Sequence, residues 1–169
     1  MNKQLIVLRH AKAERGAYPD HERPLTARGR LDALAAGRWM VEAGLHPDLT
    51  VCSTAVRAKE TWALAAAELG EGVPTVFDRK VYGAEEDELL EVLREVDENA
   101  QRVVLCGHNP GLQRLVLALA GSGAAEDLLR ARRDFGTAAI AVLEVPDKWA
   151  KLAEGSAELT AMTVARGER

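Results

Sequence analysis

The 169-residue chain is predicted to be an α/β protein with a mostly parallel sheet and helices on both of its faces. Two apolar runs, QLIVL at 4–8 and RVVLC at 102–106, are continuous rather than alternating, the pattern of strands covered on both sides. Segments of helical apolar spacing lie between the strand-like runs. The length fits one domain over residues 1–169, and no repeat, low-complexity stretch or long linker divides it.

Each element follows from its own residues. Gln4 to Leu8 forms the first strand, ending at Arg9 and His10. Thr26 is suited to cap a helix to about Ala43, with Leu31, Leu34 and Val41 on one face, Arg30, Arg38 and Glu42 away from it, and Gly44 as terminator. DLTVCS reads as a short second strand. Ala55 to Leu69 reads as a helix with the stripe Ala55, Ala58, Trp62, Ala66 and Leu69, closed by Gly70. PTVFD supplies a third strand, EDELLEVLREV a helix with Leu89, Leu90 and Leu93 inward, and RVVLC a fourth, buried strand. In GHNPGLQRLVLALAG, Asn109 is a cap and Pro110 the first helical residue, with Leu112, Leu115, Val116 and Leu119 on the buried face. TAAIAVLEV and the stretch from Trp149 to Val164 read as strands.

Composition narrows the function. A net charge of -4 with both signs interspersed gives no electrostatic footprint for nucleic acid, so any anion site must be local. The apolar stretches are too short for a membrane span, and no signal segment opens the chain, so a cytoplasmic protein is expected. Cys52 and Cys106 show no metal-like spacing and read as reduced, buried thiols. With no HExxH motif or compact carboxylate cluster, no metal or cofactor is expected.

The strand ends carry the chemistry, because open α/β sheets bind ligands outside the carboxyl ends of their strands. Arg9 and His10 close the first strand, Ser53 closes the second with Arg57 one helical turn on, and Gly107 and His108 close the fourth. Parallel topology brings these groups to one edge, where their charges repel unless an anion sits among them. Guanidinium forks match phosphate oxygens, and the helix starts near Ser53 and Asn109 add backbone donors. Two histidines exceed what binding needs. A neutral imidazole is a competent nucleophile at phosphorus, and a phosphohistidine intermediate splits one hard displacement into two. Taken singly each piece has an ordinary reading: a solvated Arg-His pair, a surface pair of Arg57 with Glu60 or Glu42, and a loop histidine at 108. Their coincidence at three equivalent junctions favours a phosphate site. His21 and His46 lie in polar loops and are read as ordinary surface residues.

LIVLRHAKAE, RPLTARGRLDA, CSTAVRAKET and VLCGHNPGL, in that order, resemble the histidine phosphatase (phosphoglycerate mutase-like) superfamily, and within it the small SixA-like phosphohistidine phosphatases. These pieces span most of the chain up to Leu119, and Trp149 with AELTAM is similar as well. The resemblance implies a three-layer α/β/α fold around a mixed, mostly parallel sheet. It also implies His10 as the phosphorylated nucleophile, Arg9 and Arg57 as phosphate clasps and His108 completing the pocket. Ala11 stands where the family commonly has glycine, a small replacement that keeps the turn. The asparagine and lid insertions of the cofactor-dependent mutases are not evident. A lidless chain resembles the branch that accepts a phosphate displayed on another protein, such as a phosphotransfer domain. Many members take a general acid from the segment after the third strand, here VYGAEEDELL, which makes Glu85 the candidate with Glu86 and Asp87 as rivals. The same acids also favour a helix N-terminus. A cysteine phosphatase is excluded by spacing, since four residues separate Cys52 from Arg57 and seven separate Cys106 from Arg114. A phosphatase of the same superfamily for small phosphate esters or sugar phosphates and a non-catalytic binder of a phosphorylated partner remain as alternatives, and oligomeric state is not legible.

Overall fold

The computed structural model describes residues 2–70 and 72–168. Seven strands form one sheet in the order β3-β2-β4-β1-β6-β7-β5, with β1 Lys3–Arg9, β2 Leu49–Cys52, β3 Thr75–Phe77, β4 Arg102–Gly107, β5 Ala120–Gly123, β6 Ala139–Val145 and β7 Ala157–Val164. β3, β2, β4 and β1 run parallel, β6 is antiparallel to both β1 and β7, and β5 joins β7 in parallel. The sheet is therefore mixed and mainly parallel.

The alternation of side chains along β1 divides the core into two layers. Ile6 and Leu8 face α1 (Ala27–Glu42) and α2 (Val56–Glu68), packed with Met40 and Trp62. Leu5 and Val7 face the other way, toward Leu89 and Leu93 of α3 (Glu86–Arg94), Leu112 and Leu115 of α4 (Gly111–Leu119) and Ala131 of α5 (Ala125–Arg133). Helices on both faces explain why the β1 and β4 runs are apolar throughout.

Four details depart from the sequence reading. The buried face of α1 is Ala33, Ala36, Gly37 and Met40, whereas Val41 is exposed and Leu31 and Leu34 are only half-buried. Close packing on α2 selects the small residues: a Cβ on Gly37 would stand 2.3 Å from the Ala65 carbonyl oxygen. α4 begins at Gly111 with Pro110 in the cap position, one residue later than expected, while the Asn109 Oδ1 still accepts from the Gln113 N–H at 3.2 Å. Trp149 opens a short 3₁₀ turn rather than a strand; it is fully buried and donates from Nε1 to the Ala100 carbonyl at 2.7 Å. β5 and α5 had no sequence signal, because AGSG reads as a turn. The strand forms there because Gly121 lets the backbone of Gly155 approach, where a Cβ would lie 2.1 Å from the Gly155 carbonyl oxygen.

Candidate active site

Strand register assembles the site. Arg9 pairs with Gly107 and Cys52 with Cys106, so β1, β2 and β4 end level. The ladder continues one residue further: the N–H groups of His10 and Ser53 donate to the carbonyls of Gly107 and Cys106, each at 3.0 Å. Arg9, His10, Ser53 and His108 are thereby fixed at one edge of the sheet. Arg57 joins them from the first turn of α2.

His10 is held as a neutral ring with one nitrogen free. Its Nδ1 lies 2.7 Å from the Ala11 carbonyl oxygen, which can only accept, so the proton sits on Nδ1 and Nε2 keeps its lone pair. Burial pushes the His10 pKa down to about 4, opposed by the bond to Ala11 and reinforced by the positive charges of Arg57 and Arg9. Thr61 braces this arrangement from α2: its hydroxyl accepts the Ala11 N–H at 2.9 Å and donates to the Arg57 carbonyl at 2.7 Å. The peptide that orients the His10 ring is thus tied to the helix that carries Arg57.

The second imidazole lies beside the first, with ring centroids 5.1 Å apart. His108 Nε2 is 2.7 Å from the Ser53 hydroxyl, and burial, then the charges of His10 and Arg57, hold its pKa down to about 3. Arg9 donates to the Phe135 carbonyl at 3.1 Å, and its pKa is lowered by burial and then by Arg57. Arg9 Nε, Arg57 Nε and His108 Nδ1 are buried nitrogens with no hydrogen-bond partner. The three residues that carry these atoms line one cavity.

Arg9, His10, Arg57, His108 and Asn109 line an open cavity of about 340 Å³, together with Lys12, Arg15, Asp20, Arg23 and Thr137. Asn109 stands at its edge, its Nδ2 donating to the Phe135 carbonyl at 2.8 Å. Ser53, expected as a ligand contact, lies behind His108, fully buried and off the cavity lining. Glu85, expected as the acid, is also off the lining: it occupies the N-cap position of α3, with its N–H held by the Glu88 carboxylate at 3.0 Å. Glu86 and Asp87 fill the first turn of the same helix, where the dipole favours negative charge. Glu85, Asp87 and Glu88 are also the one His, Cys, Asp or Glu grouping among the described residues close enough to share a metal ion, and all three are solvent-exposed and apart from the cavity.

The carboxylate on the cavity lining is Asp20. Arg57, 5% exposed, donates from one terminal nitrogen to the Asp20 carbonyl at 2.6 Å and from the other to Asp20 Oδ2 at 3.1 Å. The Tyr82 hydroxyl donates to the same Oδ2 at 2.5 Å. The Tyr82 bond chiefly, and Arg57 after it, hold the Asp20 carboxyl down at about 2. No local pattern in the sequence marks Asp20 or Tyr82. Thr61 left a signal, a hydroxyl on the buried face of an Ala-rich helix one turn after Arg57. His21, read as an ordinary loop residue, props this wall: its Nε2 is 2.8 Å from the Thr54 hydroxyl and its ring meets Tyr82 edge-on at 4.7 Å.

A family model, histidine phosphatase superfamily (branch 1), matches residues 5–81. A solved structure of a candidate phosphohistidine phosphatase SixA from Nakamurella multipartitia is 30% identical, superposes with a TM-score of 0.83, and covers 98% of this chain and 97% of its own. The chain belongs to the histidine phosphatase superfamily. Within the superfamily it falls in the SixA-like branch: a second SixA candidate, from Agrobacterium tumefaciens, is 26% identical with a TM-score of 0.79, covering 96% of this chain and 98% of its own. An uncharacterized protein of Mycobacterium tuberculosis is 34% identical over 165 residues, spanning 94% of this chain and 100% of the relative. The three-layer architecture expected for a phosphoglycerate mutase-like histidine phosphatase is the one observed. No helix among the described residues is long and apolar enough to cross a membrane.

Proposed function

We propose that this histidine phosphatase hydrolyses phosphohistidine displayed on a signalling or phosphotransfer protein. His10 Nε2 attacks phosphorus, a His10–P bond forms as the P–N bond of the substrate breaks, and the substrate's imidazole leaves. Water then attacks the phosphorylated His10, giving inorganic phosphate and restoring the neutral ring. Arg9 and Arg57 supply N–H donors to the phosphoryl oxygens, whose charge is spread in a loose transition state, and His108 closes the pocket from the fourth strand.

The observation that carries the substrate class is the state of Asp20. It is the carboxylate on the cavity lining, and Tyr82 and Arg57 hold it ionised far below neutral pH. An alcohol leaving group needs a proton from the enzyme as it departs. An imidazole leaves as a neutral molecule once its far nitrogen is protonated by solvent, so a site without a ready carboxylic acid suits P–N better than P–O cleavage. The mouth supports a large substrate: Lys12 and Arg15 stand exposed on the lining without a salt-bridge partner among the described residues, placed to meet acidic groups around a displayed phosphohistidine. The reading places the protein in the cytoplasm, where the free thiols of Cys52 and Cys106 remain reduced.

The test measures phosphate release, in excess chelator, from a phosphohistidine-bearing phosphotransfer domain and from an aryl phosphate, comparing wild type with His10→Ala. His10-dependent release from the protein, with poor use of the ester, is the expected result. The reverse preference would make this a small-molecule phosphatase, and no release from either would make it a binding module.

A further inference from the structure

We infer that Ser53 fixes the tautomer of His108, so that a neutral imidazole presents Nδ1–H to the bound phosphoryl group. The phosphatase reading supplies the identity of the ligand, while the tautomer follows from hydrogen-bond counting alone.

Ser53 is fully buried, and its hydroxyl has two hydrogen-bond partners: the Ala55 N–H, which donates to Oγ at 3.2 Å, and His108 Nε2 at 2.7 Å. The amide can only donate, so the serine's own proton has one place to go, the His108 Nε2 lone pair. In the opposite assignment Nε2–H donates to Oγ. The buried serine proton then has no acceptor, and His108 Nδ1, already without a partner, becomes a bare lone pair. That arrangement leaves two buried groups unsatisfied, where the first assignment leaves one. A doubly protonated His108 fares no better, since Ser53 would again lack an acceptor, and the ring would carry a charge beside His10 and Arg57 in a buried position.

With Nε2 committed to Ser53, the ring nitrogen of His108 left without a partner is Nδ1, buried in a residue that lines the cavity. Neutral, it donates to a phosphoryl oxygen without a positive charge that would resist burial before the substrate arrives. His10 is set the other way round, with Nδ1–H spent on the Ala11 carbonyl and Nε2 bare. The two imidazoles are thus held in complementary tautomers, one a nucleophile and the other a donor. Ser53 acts through His108 and is a positioning residue.

Long-range proton–nitrogen NMR correlation of histidine-labelled protein at neutral pH tests this, with the His108 signals identified by their loss in His108→Gln. The expected spectrum shows protonated Nδ1 and unprotonated Nε2 for His108, with the Nδ1–H form depleted in Ser53→Ala and restored in Ser53→Thr, which keeps the hydroxyl. kcat for phosphohistidine peptide should fall at least about tenfold in Ser53→Ala, with a smaller change in KM. Protonated Nε2 in the wild type, protonation of both nitrogens, or an unchanged tautomer in Ser53→Ala each overturns the inference. Because the spectrum needs no substrate, a correct tautomer in a protein that does not hydrolyse phosphohistidine would refute the substrate reading and leave this one standing.

Discussion

Acidification from pH 7 to pH 5 should cost this protein stability through the same two histidines that build its site. The ordinary value for both is 6.5, and in the folded chain His10 is pushed to about 4 and His108 to about 3. Because both folded values lie below 6.5, the unfolded chain binds more protons between them, so stability rises with pH in that window and falls as the solution is acidified through it. At pH 5 the unfolded state gains about 2 kcal/mol per histidine from protonation that the folded state does not match, against a few tenths at pH 7. Partial hydration of the open cavity reduces the sum to about 3 kcal/mol for the pair. The depressed carboxylates do not obscure this: Asp20 and Glu98, both held at about 2, contribute stability that is present above their ordinary values of 3.8 and 4.5 and is lost only as pH falls below these. Urea unfolding from pH 7 to pH 5 measures the slope in the wild type and in the double variant His10→Asn, His108→Asn. The double variant should lose most of the pH dependence whatever its stability at pH 7. An unchanged slope would refute the assignment of two buried neutral imidazoles, and with it the neutral nucleophile.

Thr61→Val keeps the shape of the side chain but removes the acceptor of the Ala11 N–H and the donor to Arg57, so kcat should fall about 10- to 100-fold as His10 loses its alignment; steady-state kinetics with a phosphohistidine peptide checks this. Asp20→Asn frees Arg57 from its carboxylate partner, and titration with tungstate should show a several-fold change in affinity with His10-dependent turnover retained; complete loss of turnover would instead assign Asp20 a direct part in proton transfer. The pair Lys12→Glu, Arg15→Glu should lower kcat/KM on a phosphorylated phosphotransfer domain about tenfold at low salt and lower it less on an aryl phosphate, the effect shrinking as salt is added. Asp32, 1% exposed, accepts from Arg28 and from the Gly167 N–H and lies near Arg166, so Asp32→Ala should destabilise the fold by about 3 kcal/mol in denaturant titration, a loss that unchanged midpoints would contradict.

By itself the sequence determined the elements whose physics is local. The continuous runs of β1 and β4 declared strands buried on both faces, and the α2 and α4 stripes and their terminators declared helices, because burial pattern and capping act within a turn or two of the chain. Arg9, His10, Arg57 and His108 were legible because strand ends in a parallel sheet share an edge, a rule that needs only element order. The tertiary structure decided everything that depends on a distant partner. It placed α1 on its alanine and glycine face, since the closeness of α2 outweighs the larger leucines at the helix margin. It gave Glu85 to a helix cap and brought Asp20 to the pocket. It also chose the hydrogen bonds that set each side chain's state: Arg57 with Asp20, 37 positions away, Ala11 with Thr61, 50 away, and His108 with Ser53, 55 away. Residue type states what a group can donate, accept or titrate. Only the fold brings the second atom within 3 Å, and that contact decides which of those capacities is used.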